Sequence, residues 1–195
     1  MRTVQAFQGA SLVDGRPIGQ ARLKFKNFDE EAAFLRKMVD EFTGNARLRE
    51  ITLRVIFPLC RPKDEPAQAL AIGRWIQDRT YYVHEGTELF QTPLTTIRLM
   101  AGDCDDYSIA IASMLGCVGI RQKLCILKIN GRWAHIFPVA IVNDGGRLHR
   151  LTLDGTLLKR DDEPPHEPID DPIGDLVNPI ALVKARGDQV EAFFI

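Results

Sequence analysis

Gly102-Asp103-Cys104-Asp105-Asp106 reads as a turn that delivers a cysteine to the first position of a helix. Asp103 suits the N-cap, and Asp106, three residues after it, completes a capping-box pattern. Behind them Tyr107, Ile111, Met114, Leu115 and Val118 recur at helical spacing, and Gly116 and Gly119 mark the helix end. The unpaired N–H groups and the dipole of a helix start favour a thiolate at Cys104. The Cys104 backbone amide is also placed to hold an oxyanion formed when that sulfur attacks a carbonyl. The three aspartates work against this, because nearby carboxylates keep a thiol protonated. A cationic partner is therefore needed, and an imidazolium serves.

The strands that follow supply one. Lys123–Ile129 and Arg132–Val142 read as strands joined by Asn130-Gly131, and Arg147–Leu153 runs back after Asn143-Asp144-Gly145-Gly146. His135 lies on the second of these strands and Asp154 ends the third. If Asn143–Gly146 is a four-residue loop, Val142 faces Arg147, and the same register carried seven residues along sets His135 opposite Asp154. Cβ atoms in such a pair lie about 4.5–5.5 Å apart. The carboxylate would then fix the imidazole tautomer while the other ring nitrogen faces the thiol. A one-residue slip would send the two side chains to opposite faces, so the register decides the matter. Singly, a cysteine at a helix start or a histidine in an apolar strand is more often structural. Their order and pairing together point to nucleophilic catalysis. Gln91, in the loop upstream, is the candidate second oxyanion donor, against a plainer role bracing that loop.

Around this core, residues 3–27 read as a hairpin or extended arm, with Val4–Phe7 and Ala21–Phe25 alternating about Asp14-Gly15. Asp29 is expected to cap a helix reaching about Phe42, a short helix covers 45–56, and Pro66 opens a third with Leu70, Trp75 and Ile76 buried. Tyr81-Tyr82-Val83 is extended, and 84–101 is a loop with some helix near Pro93–Met100. Lys159–Pro172 is rich in Asp, Glu and Pro and reads as an irregular flap, while the apolar tail Leu176–Ile195 docks back. The expected organisation is an N-terminal hairpin and helices over 1–60, a catalytic core over 61–158, and a flap and tail over 159–195.

Composition narrows the function classes. With 195 residues, 45% of them hydrophobic, the chain can bury one substantial core. A formal net charge of −1 gives no electrostatic reason to expect nucleic acid or an anionic membrane as partner. Arg47, Arg49 and Arg54 alternate with Glu50 as on a solvated helix face. No signal-peptide pattern or membrane-length apolar run is present, so a cytoplasmic location is expected, with virion association as an alternative. None of the four cysteines forms a C-x-x-C pair, and Cys60, Cys117 and Cys125 sit among apolar neighbours as core filler. Asp103, Cys104, Asp106, His135 and His149 are suitable zinc ligands, but their spacing matches no compact motif, so neither metal nor cofactor is expected.

Gly102-Asp103-Cys104-Asp105-Asp106-Tyr107, Trp133-Ala134-His135-Ile136 and Leu153-Asp154-Gly155-Thr156 resemble the transglutaminase-like superfamily, in particular its compact bacterial and bacteriophage-type members. Trp75–Tyr82 suits the helix and extended piece that precede the nucleophile there, so the resemblance covers roughly residues 66–158. It implies an α+β, papain-like fold with the nucleophile helix packed on an antiparallel sheet. It also implies a triad of Cys104 as nucleophile, His135 as general base and acid, and Asp154 as its orienter. The activity implied is acyl transfer on a peptide or side-chain amide of a peptide or protein substrate, with hydrolysis favoured over crosslinking. The competing expectation is a non-catalytic phage or prophage assembly module built on the same scaffold.

Overall fold

The computed structural model describes residues 25–83, 89–156 and 189–195, together with the backbone of short strands at 12–13, 16–17, 20–21 and 166–168. Strands β1 (Leu12–Val13) and β2 (Arg16–Pro17) pair antiparallel, Val13 with Arg16, and the expected turn Asp14-Gly15 lies outside the described residues. Strand β3 (Gln20–Ala21) pairs with β5 (Phe90–Gln91), far along the chain; Val4–Phe7, the partner expected for it, lies outside the described residues. Helix α1 (Phe28–Thr43) is capped by Asn27, whose side chain accepts from Glu30 N–H; Asp29, the expected cap, sits inside the first turn. Asn45 caps α2 (Ala46–Ile56) in the same way.

Helix α3 (Glu65–Arg79) starts from Asp64 and buries Ala69, Ile72, Gly73 and Ile76. Of the expected face only Ile76 is fully covered; Leu70 and Trp75 lie at the margin of the core, with the Arg79 guanidinium over the Trp75 ring. The small residues win the centre because a Cβ on Gly73 would already stand 3.2 Å from the Leu153 side chain. Strand β4 (Tyr81–Tyr82), helix α4 (Pro93–Leu99) and strand β6 (Ala101–Gly102) lead into α5 (Cys104–Cys117).

Helix α5 is the hub. Ile109 and Ala112 meet Leu35 and Val39 of α1, while Ile111, Met114 and Leu115 share a second cluster with Leu48 and Val55 of α2 and Ile72 and Ile76 of α3. Its other neighbour is a five-stranded antiparallel sheet in the order β10-β9-β8-β7-β11, formed by β7 (Arg121–Ile129), β8 (Arg132–Asp144), β9 (Arg147–Thr152), β10 (His166–Pro168) and β11 (Val190–Phe194). The α+β architecture expected from the sequence, with the cysteine-bearing helix packed on an antiparallel sheet, is the one observed.

The register differs from the expected one in two places. Between β8 and β9, Asp144 pairs with Arg147 and Val142 with His149, so the loop is Gly145-Gly146 alone rather than Asn143–Gly146. Two successive positive-φ residues, at +57° and +92°, make this tight turn, and the Asn143 carboxamide accepts from Gly146 N–H. Between β7 and β8, Ile129 pairs with Arg132 but Leu127 pairs with His135, which leaves Ala134 as an extra residue, a β-bulge. Without it the turn register would set His135 opposite Ile126, in the cluster shared with Ile109 and Ala112 of α5.

One side chain ties helix to sheet at this level. The Ser108 hydroxyl lies 2.6 Å from the Cys104 carbonyl and 3.0 Å from that of Ile136, the residue after His135. Replacing the buried Ser108 by Ala should cost about 1–3 kcal/mol of stability in urea unfolding, through carbonyls left short of a donor.

Candidate active site

His135 and Asp154 are joined. The ring Nε2 lies 2.6 Å from Asp154 Oδ2, with the carboxylate side chain 1% and the imidazole 21% exposed. They are not directly opposite, as the four-residue loop required. The ladder ends at Val139–Thr152, the Leu153 N–H still donates to Pro138 O, and Asp154 reaches His135 along a diagonal. The contact survives because the register moved by two residues, which preserves the face. The other Asp154 oxygen accepts from both the backbone N–H (3.0 Å) and the hydroxyl (2.7 Å) of Thr156. Thr156 is thus a positioning residue, and the Asp-x-Thr spacing of an Asx turn was its signal in the sequence. With Nε2 committed to Asp154, Nδ1 is the nitrogen left to exchange a proton with a substrate or a thiol.

Cys104 begins α5 and is half-buried. Asp103 occupies the N-cap but its side chain makes no capping bond, and the expected capping box does not form. The reason is Asp106: fully buried, it accepts from the Gln91 backbone N–H at 2.8 Å and from the Gln91 carboxamide Nε2 at 2.6 Å. The same carboxamide donates to Ala101 O at 3.1 Å. Both of its donors are spent, so Gln91 braces the loop before Cys104 and has no N–H left to offer an oxyanion in this structure. Gly102 permits this arrangement, since a Cβ there would stand 2.7 Å from Asp106 Cβ and Oδ2.

The acidic groups that remain beside the sulfur are Asp103 and Asp105, whose ligand atoms and Cys104 Sγ all lie within 4.8 Å of one another. This is the one cluster among the described residues with the donors for a cation. It differs from the set considered from sequence, because Asp106 is turned to Gln91 and His149 pairs with Val142, seven residues along β8 from His135, or roughly 24 Å. The acidic flap lies outside the described residues except for the backbone of β10, which pairs with β9. Among the described residues, no helix is long and apolar enough to cross a membrane.

Tyr82 is a further residue at the site that spacing did not reveal. It comes in through the parallel pairing of β4 with β6, which aligns it with Gly102. Burial, then the charges of Cys104, Asp103, Asp105 and Asp154, push its hydroxyl up to about 12, so this phenol remains a donor at any ordinary pH.

A cysteine on a helix start and a histidine bonded to a buried aspartate are the residue types of a thiol-nucleophile site. Among solved structures several are similar in fold. The chain is similar to a candidate cysteine protease from Cytophaga hutchinsonii (19% identity, TM-score 0.46), over 62% of this chain and 42% of that one. It is also similar to a candidate protease from Parabacteroides distasonis (15%, TM-score 0.47; 64% and 29%) and to EGTA-treated LapG of Legionella pneumophila (16%, TM-score 0.42; 71% and 79%). The chain thus spans less than half the length of the first two, and similarity at this level says nothing of what the chain acts on. No family model matches the sequence, and no curated protein matches it.

Two measurements follow. Gly102→Ala should force Asp106 off Gln91 and lower stability by about 1–3 kcal/mol, read by chemical denaturation. Burial raises the Cys125 thiol to about 12, with the Asp154 charge adding to it, and burial also raises Cys117 and Cys60. Mass-spectrometric mapping after iodoacetamide at neutral pH should therefore find Cys104 labelled well ahead of the buried Cys117 and Cys125.

Proposed function

We propose that the chain is a thiol acyl-transfer enzyme that cleaves a peptide or side-chain amide. The observation that carries this reading is the 2.6 Å bond between His135 and the buried Asp154, one residue along β8 from the carbonyl that Ser108 bridges to Cys104. His135 Nδ1 takes the proton of the Cys104 thiol, and the thiolate attacks the amide carbon to give a tetrahedral oxyanion. The imidazolium returns the proton to the leaving amine as the C–N bond breaks, which leaves a thioester on Cys104. Water, deprotonated by His135, then attacks the thioester and releases the acid and the free thiol. Asp154 holds the ring and stabilises its charged form throughout, and Thr156 holds Asp154.

The acidic surroundings support the division of labour. Asp103 and Asp105 beside the sulfur oppose a standing thiolate, so the charge is best made when His135 accepts the proton in the reaction. The resemblance of the sequence to transglutaminase-like enzymes and the protease descriptions of its structural likenesses agree with an amide as substrate.

The reading is tested by cleavage of a peptide library with mass-spectrometric product detection. Wild type should give products that Cys104→Ala does not, and Asp154→Asn should lose activity on the order of 10³–10⁴-fold through the wrong imidazole tautomer. Products that persist in Cys104→Ala, or their absence from wild type, would overturn it.

A further inference from the structure

With Gln91 spent on Asp106 and Ala101, the oxyanion of a substrate on Cys104 has one evident donor, the Cys104 backbone N–H at the first helical position. One hydrogen bond is little for this site. Asp103 and Asp105 each have a carboxylate oxygen within 4.8 Å of the sulfur. These charges oppose a further negative charge on a substrate oxygen, which makes a fixed neutral donor the group the site most needs.

Tyr82 is held next to the turn that delivers Cys104. Tyr81 N–H donates to Met100 O at 2.8 Å and Val83 N–H to Gly102 O at 2.9 Å, which fixes the Tyr82 backbone beside the turn that leads into Cys104. Its ring meets Tyr107 edge-on, with centroids 6.2 Å apart and planes at 84°. Tyr107 sits one turn after Cys104 on α5, and its own hydroxyl is anchored to Thr80 O at 2.7 Å. The Tyr82 side chain is therefore positioned by strand pairing and by a braced aromatic platform, yet the residue is 44% exposed and open to an incoming substrate. Burial and then the charges of Cys104, Asp103, Asp105 and Asp154 raise its pKa, so the hydroxyl keeps its proton.

We propose that the Tyr82 hydroxyl is the second oxyanion donor of this site, acting with the Cys104 amide on the carbonyl oxygen of the amide under attack. The assignment rests on the acyl-transfer reading. In the tetrahedral intermediate the phenol O–H donates to the oxygen that receives the C=O electron pair; it keeps its proton, and the pair returns when the amine leaves.

The test compares two reactions of the same sulfur. Acylation of Cys104 by p-nitrophenyl acetate passes through an oxyanion, whereas alkylation by iodoacetamide is a direct displacement that does not. Tyr82→Phe keeps the ring on Tyr107 and should slow acylation tenfold or more while alkylation stays within twofold. Tyr81→Phe, altering the 79% exposed neighbour, should leave both rates unchanged. Acylation of Tyr82→Phe within twofold of wild type would overturn the proposal, as would a parallel fall in both rates, which would put the hydroxyl on the thiolate instead. Wild type that acylates no faster than Cys104→Ala would sink the acyl-transfer reading itself, a failure read before any Tyr82 variant is made.

Discussion

The approach to the candidate nucleophile depends on one buried carboxylate. Asp106 grips both the backbone and the side chain of Gln91 and presses against a glycine that has no room for a Cβ. Gln91 in turn holds Ala101 O and lies on β5, which pairs with β3. Gln91 and Gly102 thus meet at one side chain just inside the helix that Cys104 begins. A buried carboxylate is costly unless its oxygens are matched by donors, and here the donors are those that shape the turn. The glycine and the last aspartate of Gly102–Asp106 serve this architecture, which leaves Asp103 and Asp105 as the residues of the motif that face the sulfur.

Much of this was legible in the sequence, and the misses have definite causes. The cysteine-bearing helix, the three long strands and the partnership of His135 with Asp154 follow from periodicity, turn signals and alternation. The length of the second turn was misread, because Asn143 and Asp144 are good turn residues yet continue the strand, leaving Gly145-Gly146 to reverse the chain. The pairing survived because strand alternation makes an error of two harmless. The bulge at Ala134 had no signal, since alanine neither demands nor forbids one. Gln91 was assigned by its position upstream of the cysteine, and only a non-local hydrogen bond to Asp106 shows where its amide goes. Tyr82 was invisible for a similar reason: parallel pairing between short strands leaves no mark at fixed spacing.

Electrostatically, the candidate site differs from a cysteine activated by its helix alone. Two carboxylates beside the sulfur oppose the pull of the helix dipole toward a thiolate, and the counter-charge proposed for it is that of His135, bonded to the buried Asp154. Two of the other cysteines are removed from such chemistry by burial: Cys125 is fully enclosed between Leu127 and Phe137, and Cys117 ends α5. Of the two half-buried thiols, Cys60 and Cys104, the latter stands at a helix start.

The bulge at Ala134 also divides β8 mechanically. Beyond it lie the Asn130-Gly131 turn and Trp133, which stacks on Phe28 and meets Phe193. Before it lie His135, the carbonyl held by Ser108, and the ladder to β9. A bulge can absorb a residue gained or lost on its outer side by closing or widening, without moving the register on its inner side. The tip of this hairpin is thus insulated from the His–Asp pair, and its length and aromatic surface are free to vary where the inner strand is not.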